Sequence, residues 1–127
     1  MSSLLSGRRI LVVEDEMLIS LMIEDMLADL GCEAVTLATT ADGAVDLVDG
    51  QTFDAALLDM NLNGASSRMV AQALQAHGVP FAISTGNSAD DMWDDFRDRA
   101  VLRKPFQYGE LERILARLLP HAEPRPH

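Results

Sequence analysis

The chain has 127 residues, 48% hydrophobic and 24% charged, a balance that suits one globular domain and excludes a disordered or collagen-like protein. Twenty acids against ten bases give a net charge of −10, a field that repels phosphate backbones and argues against direct nucleic-acid binding. The single cysteine, Cys32, rules out an internal disulfide and reads as a buried, inert thiol.

Arg8-Arg9 stands before Ile10-Leu11-Val12-Val13, an apolar run of four residues halted by Glu14-Asp15. That run is shorter than the roughly 7 to 15 residues of a signal-peptide core, and no segment reaches the roughly 20 apolar residues that span a bilayer. A cytoplasmic protein without membrane insertion is expected, and residues 10–13 predict a buried parallel strand. Ile19, Met22, Ile23, Met26, Leu27 and Leu30 then recur at helical spacing, with Gly31 as the stop. Burial is expected for the apolar residues of this helix, Leu18, Leu21 and Met22 included.

Residues 35–38 predict a second strand. Thr40 caps a helix to about Asp49, with Ala41, Ala44, Val45 and Val48 on one face and Gly50 as the stop. Residues 53–58 predict the third strand, terminated by Asp59 and followed by a loop containing Asn61, Asn63 and Gly64. Ser66 or Ser67 starts a helix to about His77, stopped by Gly78. A fourth strand over 81–84 and a fifth over Ala100–Arg103 flank an acidic stretch, 87–99, in which Met92 and Phe96 are spaced for a short helix. Leu111, Ile114, Leu115 and Leu118 form the apolar stripe of the last helix, which Pro120 ends before a tail containing Pro124 and Pro126.

Five β/α units predict an open parallel α/β sheet, doubly wound, with helices on both faces. The expected organisation is a single domain over 1–127, with a core of about 8–119 and a flexible tail over 120–127. Folds of this kind place their sites at the carboxyl ends of the strands. Those ends supply Glu14-Asp15, Asp59, Ser84-Thr85-Gly86 and Arg103-Lys104-Pro105. Each alone is ordinary: an acid after a strand caps a helix, a threonine closes a turn, and a lysine faces solvent. Together they bring three carboxylates, a hydroxyl and an ammonium to one sheet edge. Clustered carboxylates repel unless a cation intervenes, and hard oxygen ligands without His or Cys suit Mg²⁺. Lys104 is the only lysine, the other nine basic residues being arginine. A compact ammonium beside such an ion suits a phosphoryl oxygen.

From Arg9 to Leu119 the chain resembles the receiver domain of two-component response regulators. Val13-Glu14-Asp15, Leu58-Asp59-Met60, Ser84-Thr85-Gly86 and Lys104-Pro105-Phe106 carry the likeness, in the family's order and near its spacing. The resemblance implies a (βα)5 fold of the flavodoxin/CheY type with strand order 2-1-3-4-5. It implies that Asp59 takes a phosphoryl group from a sensor histidine kinase or a histidine phosphotransfer protein. Glu14, Asp15, Asp59 and the backbone carbonyl of Asn61 are then the Mg²⁺ ligands, and Thr85 and Lys104 meet the phosphoryl oxygens. A cis Lys104–Pro105 bond, kinase docking through the first helix, with Leu18, Leu21 and Met22 facing the partner as the alternative to their burial, and a monomeric or weakly dimeric state are also implied.

Gly78-Val79-Pro80-Phe81-Ala82-Ile83-Ser84-Thr85-Gly86 is similar to the Pro-Phe-x-Phe-Ala-Thr-Gly-Tyr signature of stand-alone receivers, many of them partners of HWE-type histidine kinases. This implies a receiver without an output domain that acts by binding an unidentified downstream protein or by phosphorelay, and not as a classical enzyme. Ile83, Ser84 and Asn87 depart from that signature. Val101 stands where receivers usually carry a switching Tyr or Phe, with Phe81, Trp93 or Phe96 as candidate substitutes. Two rival readings follow from the residues. A phosphate-independent interaction module on the same fold is favoured by Val101 and opposed by the intact acids. A metal-dependent phosphohydrolase needs a second carboxylate where the chain has Asn61.

Overall fold

A computed structural model describes residues 4–62, 64–86, 92–96 and 99–119. The chain order is β1 (Arg9–Val13), α1 (Met17–Asp29), β2 (Ala34–Ala38), α2 (Ala41–Gly50), β3 (Ala55–Asp59), β4 (Asn61–Leu62), β5 (Ala65–Ser66), α3 (Arg68–Ala76), β6 (Phe81–Thr85), β7 (Ala100–Arg103) and α4 (Tyr108–Leu118). A 3-10 turn, Asp94–Phe96, precedes β7. The expected tail over 120–127 lies outside the described residues, as do Asn63, Asn87, Asp90, Asp91 and Asp98.

Five strands form one parallel sheet in the order β2-β1-β3-β6-β7. With the two-residue strands β4 and β5 set aside, this is the expected order 2-1-3-4-5. Those two make a small antiparallel hairpin where a loop was expected.

Period-two alternation divides the buried strands between two core layers. Leu11, Val13, Ala56, Leu58, Phe81 and Ile83 face α2 and α3, meeting Ala44, Val48, Val70 and Leu74. Ile10, Val12, Ala55, Leu57, Ala82 and Leu102 face α1 and α4, meeting Ile23, Leu27, Leu111 and Leu115. Full burial of a Leu, Ile or Phe side chain is worth roughly 1.5–3 kcal/mol, so both layers hold the sheet in place. Leu5 extends the second layer, buried completely, with its N–H donating to the carbonyl of Leu30 at 2.9 Å. Cys32 is buried as expected.

Turn chemistry sets most helix ends. Gly31 and Gly78 adopt φ of 95° and 70°, left-handed conformations that only glycine enters freely. Thr40 caps α2, its hydroxyl accepting from Gly43 N at 3.0 Å. Gly50 departs from expectation: it is the last helical residue, and Gln51 in extended conformation ends the helix. Within the expected helix over 87–99, the described residues form only the 3-10 turn.

The first helix brings the largest correction. Leu18 is 77% exposed, Met22 54% and Leu21 46%, where burial was expected. The helix is apolar around most of its circumference, so periodicity could not say which stripe packs. Ile23 and Leu27 face the sheet, and the opposite side carries an uncovered apolar face.

Candidate phosphoryl-transfer site

β1, β3, β6 and β7 end at one edge of the sheet, and each delivers one part of the site. Glu14 follows β1 and is 1% exposed; Asp59 ends β3 at 5%, and Thr85 ends β6 at 3%. Ligand oxygens of Glu14, Asp15 and Asp59 lie within 4.8 Å of one another. Asn61 lines the same pocket, about 250 Å³ in volume, together with Asp59, Met60, Thr85, Gly86 and Trp93. All six residues singled out in the sequence are therefore neighbours.

Lys104 supplies the positive charge. Its Nζ lies 3.0 Å from Asp59 Oδ2, as a hydrogen bond, and 3.0 Å from Glu14 Oε1. The second contact is an ion pair without an aligned hydrogen bond, and Glu14 Oε1 is buried with no hydrogen-bond partner among the described residues. Burial pushes the Glu14 carboxyl up to about 7, with Lys104 pulling it down and Asp59 pushing it further up. Burial works to lower the pKa of Lys104, but the hydrogen bond to Asp59 and the close negative charges of Asp59 and Glu14 outweigh this and raise it.

Backbone bonds fix these side chains relative to each other. Lys104 N donates to the Thr85 carbonyl at 2.8 Å, and Met60 N donates to the Ser84 carbonyl at 2.9 Å. Asn61 N donates to Asp59 Oδ1 at 3.2 Å, so each carboxylate oxygen of Asp59 has one donor. The Lys104–Pro105 peptide is cis, as expected.

One supporting residue is absent from the sequence-derived set. Ser67 is fully buried, and its hydroxyl donates to the backbone carbonyl of Asp59 at 2.5 Å. It occupies the position before α3 but makes no side-chain cap. The only signal in the sequence was that of a helix start, which fixes where such a serine sits and not what its hydroxyl reaches.

The sequence profile of the response regulator receiver domain matches residues 10–116. The chain belongs to this family of two-component signalling domains. It is 36% identical over 118 residues to the transcriptional regulatory protein TcrA of Mycobacterium tuberculosis, a match covering 84% of this chain and 44% of TcrA. The chain spans about half the length of the curated relatives it matches, 44% and 53%. Among solved structures, SdrG from Sphingomonas melonis Fr1 is 45% identical with a TM-score of 0.79, over 92% of this chain and 98% of SdrG. The receiver domain of the sensor histidine kinase PA1611 from Pseudomonas aeruginosa PAO1 is 32% identical with a TM-score of 0.76, over 91% of this chain and 99% of that domain. That receiver domain holds a magnesium ion in its active-site cleft. The family acts in signalling and not as classical enzymes. Among the described residues, no helix is long and apolar enough to cross a membrane.

Proposed function

We propose that this receiver accepts a phosphoryl group on Asp59 from a phosphohistidine of a sensor histidine kinase or a histidine phosphotransfer protein in the cytoplasm. The modified chain then signals by binding a downstream protein or by passing the group along a relay. The observation that carries this reading is the single ammonium held 3.0 Å from both Glu14 and Asp59 at the edge of a solvent-open pocket.

In the transfer, an Asp59 carboxylate oxygen attacks phosphorus and a P–O bond forms. The donor's P–N bond breaks, and its electron pair stays on the imidazole nitrogen. Such transfers need positioning and charge neutralisation more than covalent chemistry. Lys104 is placed to follow the new negative charge from the carboxylate to the phosphoryl oxygens, and the Thr85 hydroxyl to donate to one of them. Ser67 and Asn61 N keep Asp59 aimed into the pocket.

The acids fit a magnesium ion. A buried carboxylate oxygen on Glu14 that has only the Lys104 ion pair and no hydrogen bond, converging carboxylates and the absence of His and Cys from the cluster suit a hard divalent cation. Glu14, Asp15, Asp59 and the Asn61 carbonyl are the residues to hold it, and when bound it supplies neutralisation of the phosphoryl oxygens. For the donor, the uncovered apolar face of α1, Leu18, Leu21 and Met22, supports docking through this helix, an HWE-type kinase being one source.

The test is intact-protein mass after incubation with acetyl phosphate, with and without Mg²⁺. One Mg²⁺-dependent phosphoryl adduct, absent from Asp59→Ala, is expected. Retention of the adduct in Asp59→Ala would overturn the assignment of the nucleophile, and no adduct from any donor would favour a phosphate-independent interaction module.

A further inference from the structure

Among the described residues, Trp93 is the only aromatic lining the pocket that contains Asp59 and Thr85, and it is the only tryptophan in the chain. Its position is braced from two sides. Its ring meets Phe96 edge-on at 5.9 Å and 78°, and Phe96 packs on Phe81 at 6.0 Å. The guanidinium of Arg99 lies 4.9 Å from the centre of the Phe81 ring. Phe96 and Phe81 are each 1% exposed, so Trp93 leans on the core layer that β3 and β6 share. On the other side, Arg68 at the start of α3 pairs with Asp95, two residues along from Trp93. The chain around Trp93 thus spans from the core to α3, with the indole against the pocket.

We propose that Trp93 is a positioning residue that sets how long the phosphoryl group survives on Asp59, by walling off the side of the pocket from which water would attack. This rests on the phosphoacceptor reading of Asp59. Hydrolysis of an aspartyl phosphate requires a water oxygen to attack phosphorus while the P–O bond to Asp59 breaks. The carboxylate leaves with the electron pair, and the water proton passes to solvent. Among the described residues of the lining, Trp93 and Met60 carry the large apolar side chains and the others are small or polar. A rigid indole held by Phe96 excludes water from its own volume, and its one polar group, the Nε1–H, donates but cannot accept the proton that an attacking water must lose. Val101, a small residue where receivers usually carry an aromatic, packs against the same core layer.

The experiment compares wild type, Trp93→Ala, Trp93→Phe and Arg68→Ala. Each is loaded with acetyl phosphate and Mg²⁺ and desalted, and the adduct is followed by intact mass. Loading is expected in all four. Decay in Trp93→Ala should be about threefold or more faster than in wild type, about 0.65 kcal/mol or more of barrier at tenfold per 1.36 kcal/mol. Trp93→Phe should restore most of the lifetime. Arg68→Ala, a change at an exposed residue that leaves the core intact, should shorten it in the same direction but less. Equal decay in wild type and Trp93→Ala overturns the proposal, as does a Trp93→Phe variant that decays as fast as Trp93→Ala. Should Trp93→Ala fail to fold, unchanged decay in Arg68→Ala overturns it. A wild type that never loads removes the phosphoacceptor reading itself, an outcome distinct from loading with unchanged decay.

Discussion

The hydroxyl of Ser67 donates to the backbone carbonyl of Asp59 at 2.5 Å, linking the entry to α3 with the end of β3 inside the protein. Both residues are buried, so water cannot replace the bond when it is cut. Ser67→Ala should lower stability by about 1–3 kcal/mol, the cost of leaving a buried acceptor unsatisfied. It should also slow loading from acetyl phosphate, because the aim of Asp59 depends on this strut. Urea unfolding and adduct mass read the two effects; stability within a few tenths of a kcal/mol of wild type would dismiss the strut.

Metal-free stability should depend on pH through Glu14, whose carboxyl sits at about 7 in the fold against an ordinary 4.5. A raised carboxyl pKa means that the folded state binds the proton more tightly than the unfolded state. Stability from this group is therefore complete below about 4.5 and is lost as pH rises through about 7. In EDTA the wild type should be less stable at about pH 8 than at about pH 6 by an amount of order 1–2 kcal/mol. Glu14→Gln should flatten that slope. An unchanged slope in the variant would assign the dependence to another group.

Lys104 and Asp15 should separate in a Mg²⁺ titration. Asp15→Ala removes a proposed ligand and should weaken Mg²⁺ binding about tenfold or more. Lys104→Ala removes a competing cation, so Mg²⁺ affinity should hold or rise while the response to phosphorylation is lost. Equal losses of affinity in the two variants would refute this division of roles.

Leu18→Glu should leave folding and acetyl phosphate loading intact, because the side chain is 77% exposed on α1. Transfer from a phosphorylated histidine donor that loads the wild type should fall about tenfold or more, as for a charge placed in the centre of an apolar interface. Unimpaired transfer would move the docking surface elsewhere.

How much of this was legible in the sequence differs from element to element. The two-residue β4 and β5 offer no run to read, whereas the five strands of the parallel sheet were readable as short apolar runs, most clearly β1, β3 and β6, which are buried on both faces. Their carboxyl ends followed, and with them the set Glu14, Asp15, Asp59, Thr85 and Lys104. The outer face of α1 was not readable: with apolar residues all around, the helical period marks no inside, and only the position of the sheet selects Ile23 and Leu27 over Leu18 and Leu21. Ser67 was hidden because a serine before a helix already has a local explanation. The place of Trp93 was hidden because a 3-10 turn stands where a helix was expected over the described residues, and sequence spacing did not show that Trp93 shares a pocket with Thr85.

The scarcity of lysine gives the site a chemical address. Every other basic side chain is a guanidinium, apart from the imidazoles, so acylating and carbamoylating reagents that seek amines find one side-chain target. That target is the shared counter-ion of Glu14 and Asp59. A neutral amide formed there would remove the ammonium from two acids at once. The chain can therefore be silenced or isotopically tagged at its centre by chemistry that elsewhere in proteins scatters over many surface lysines.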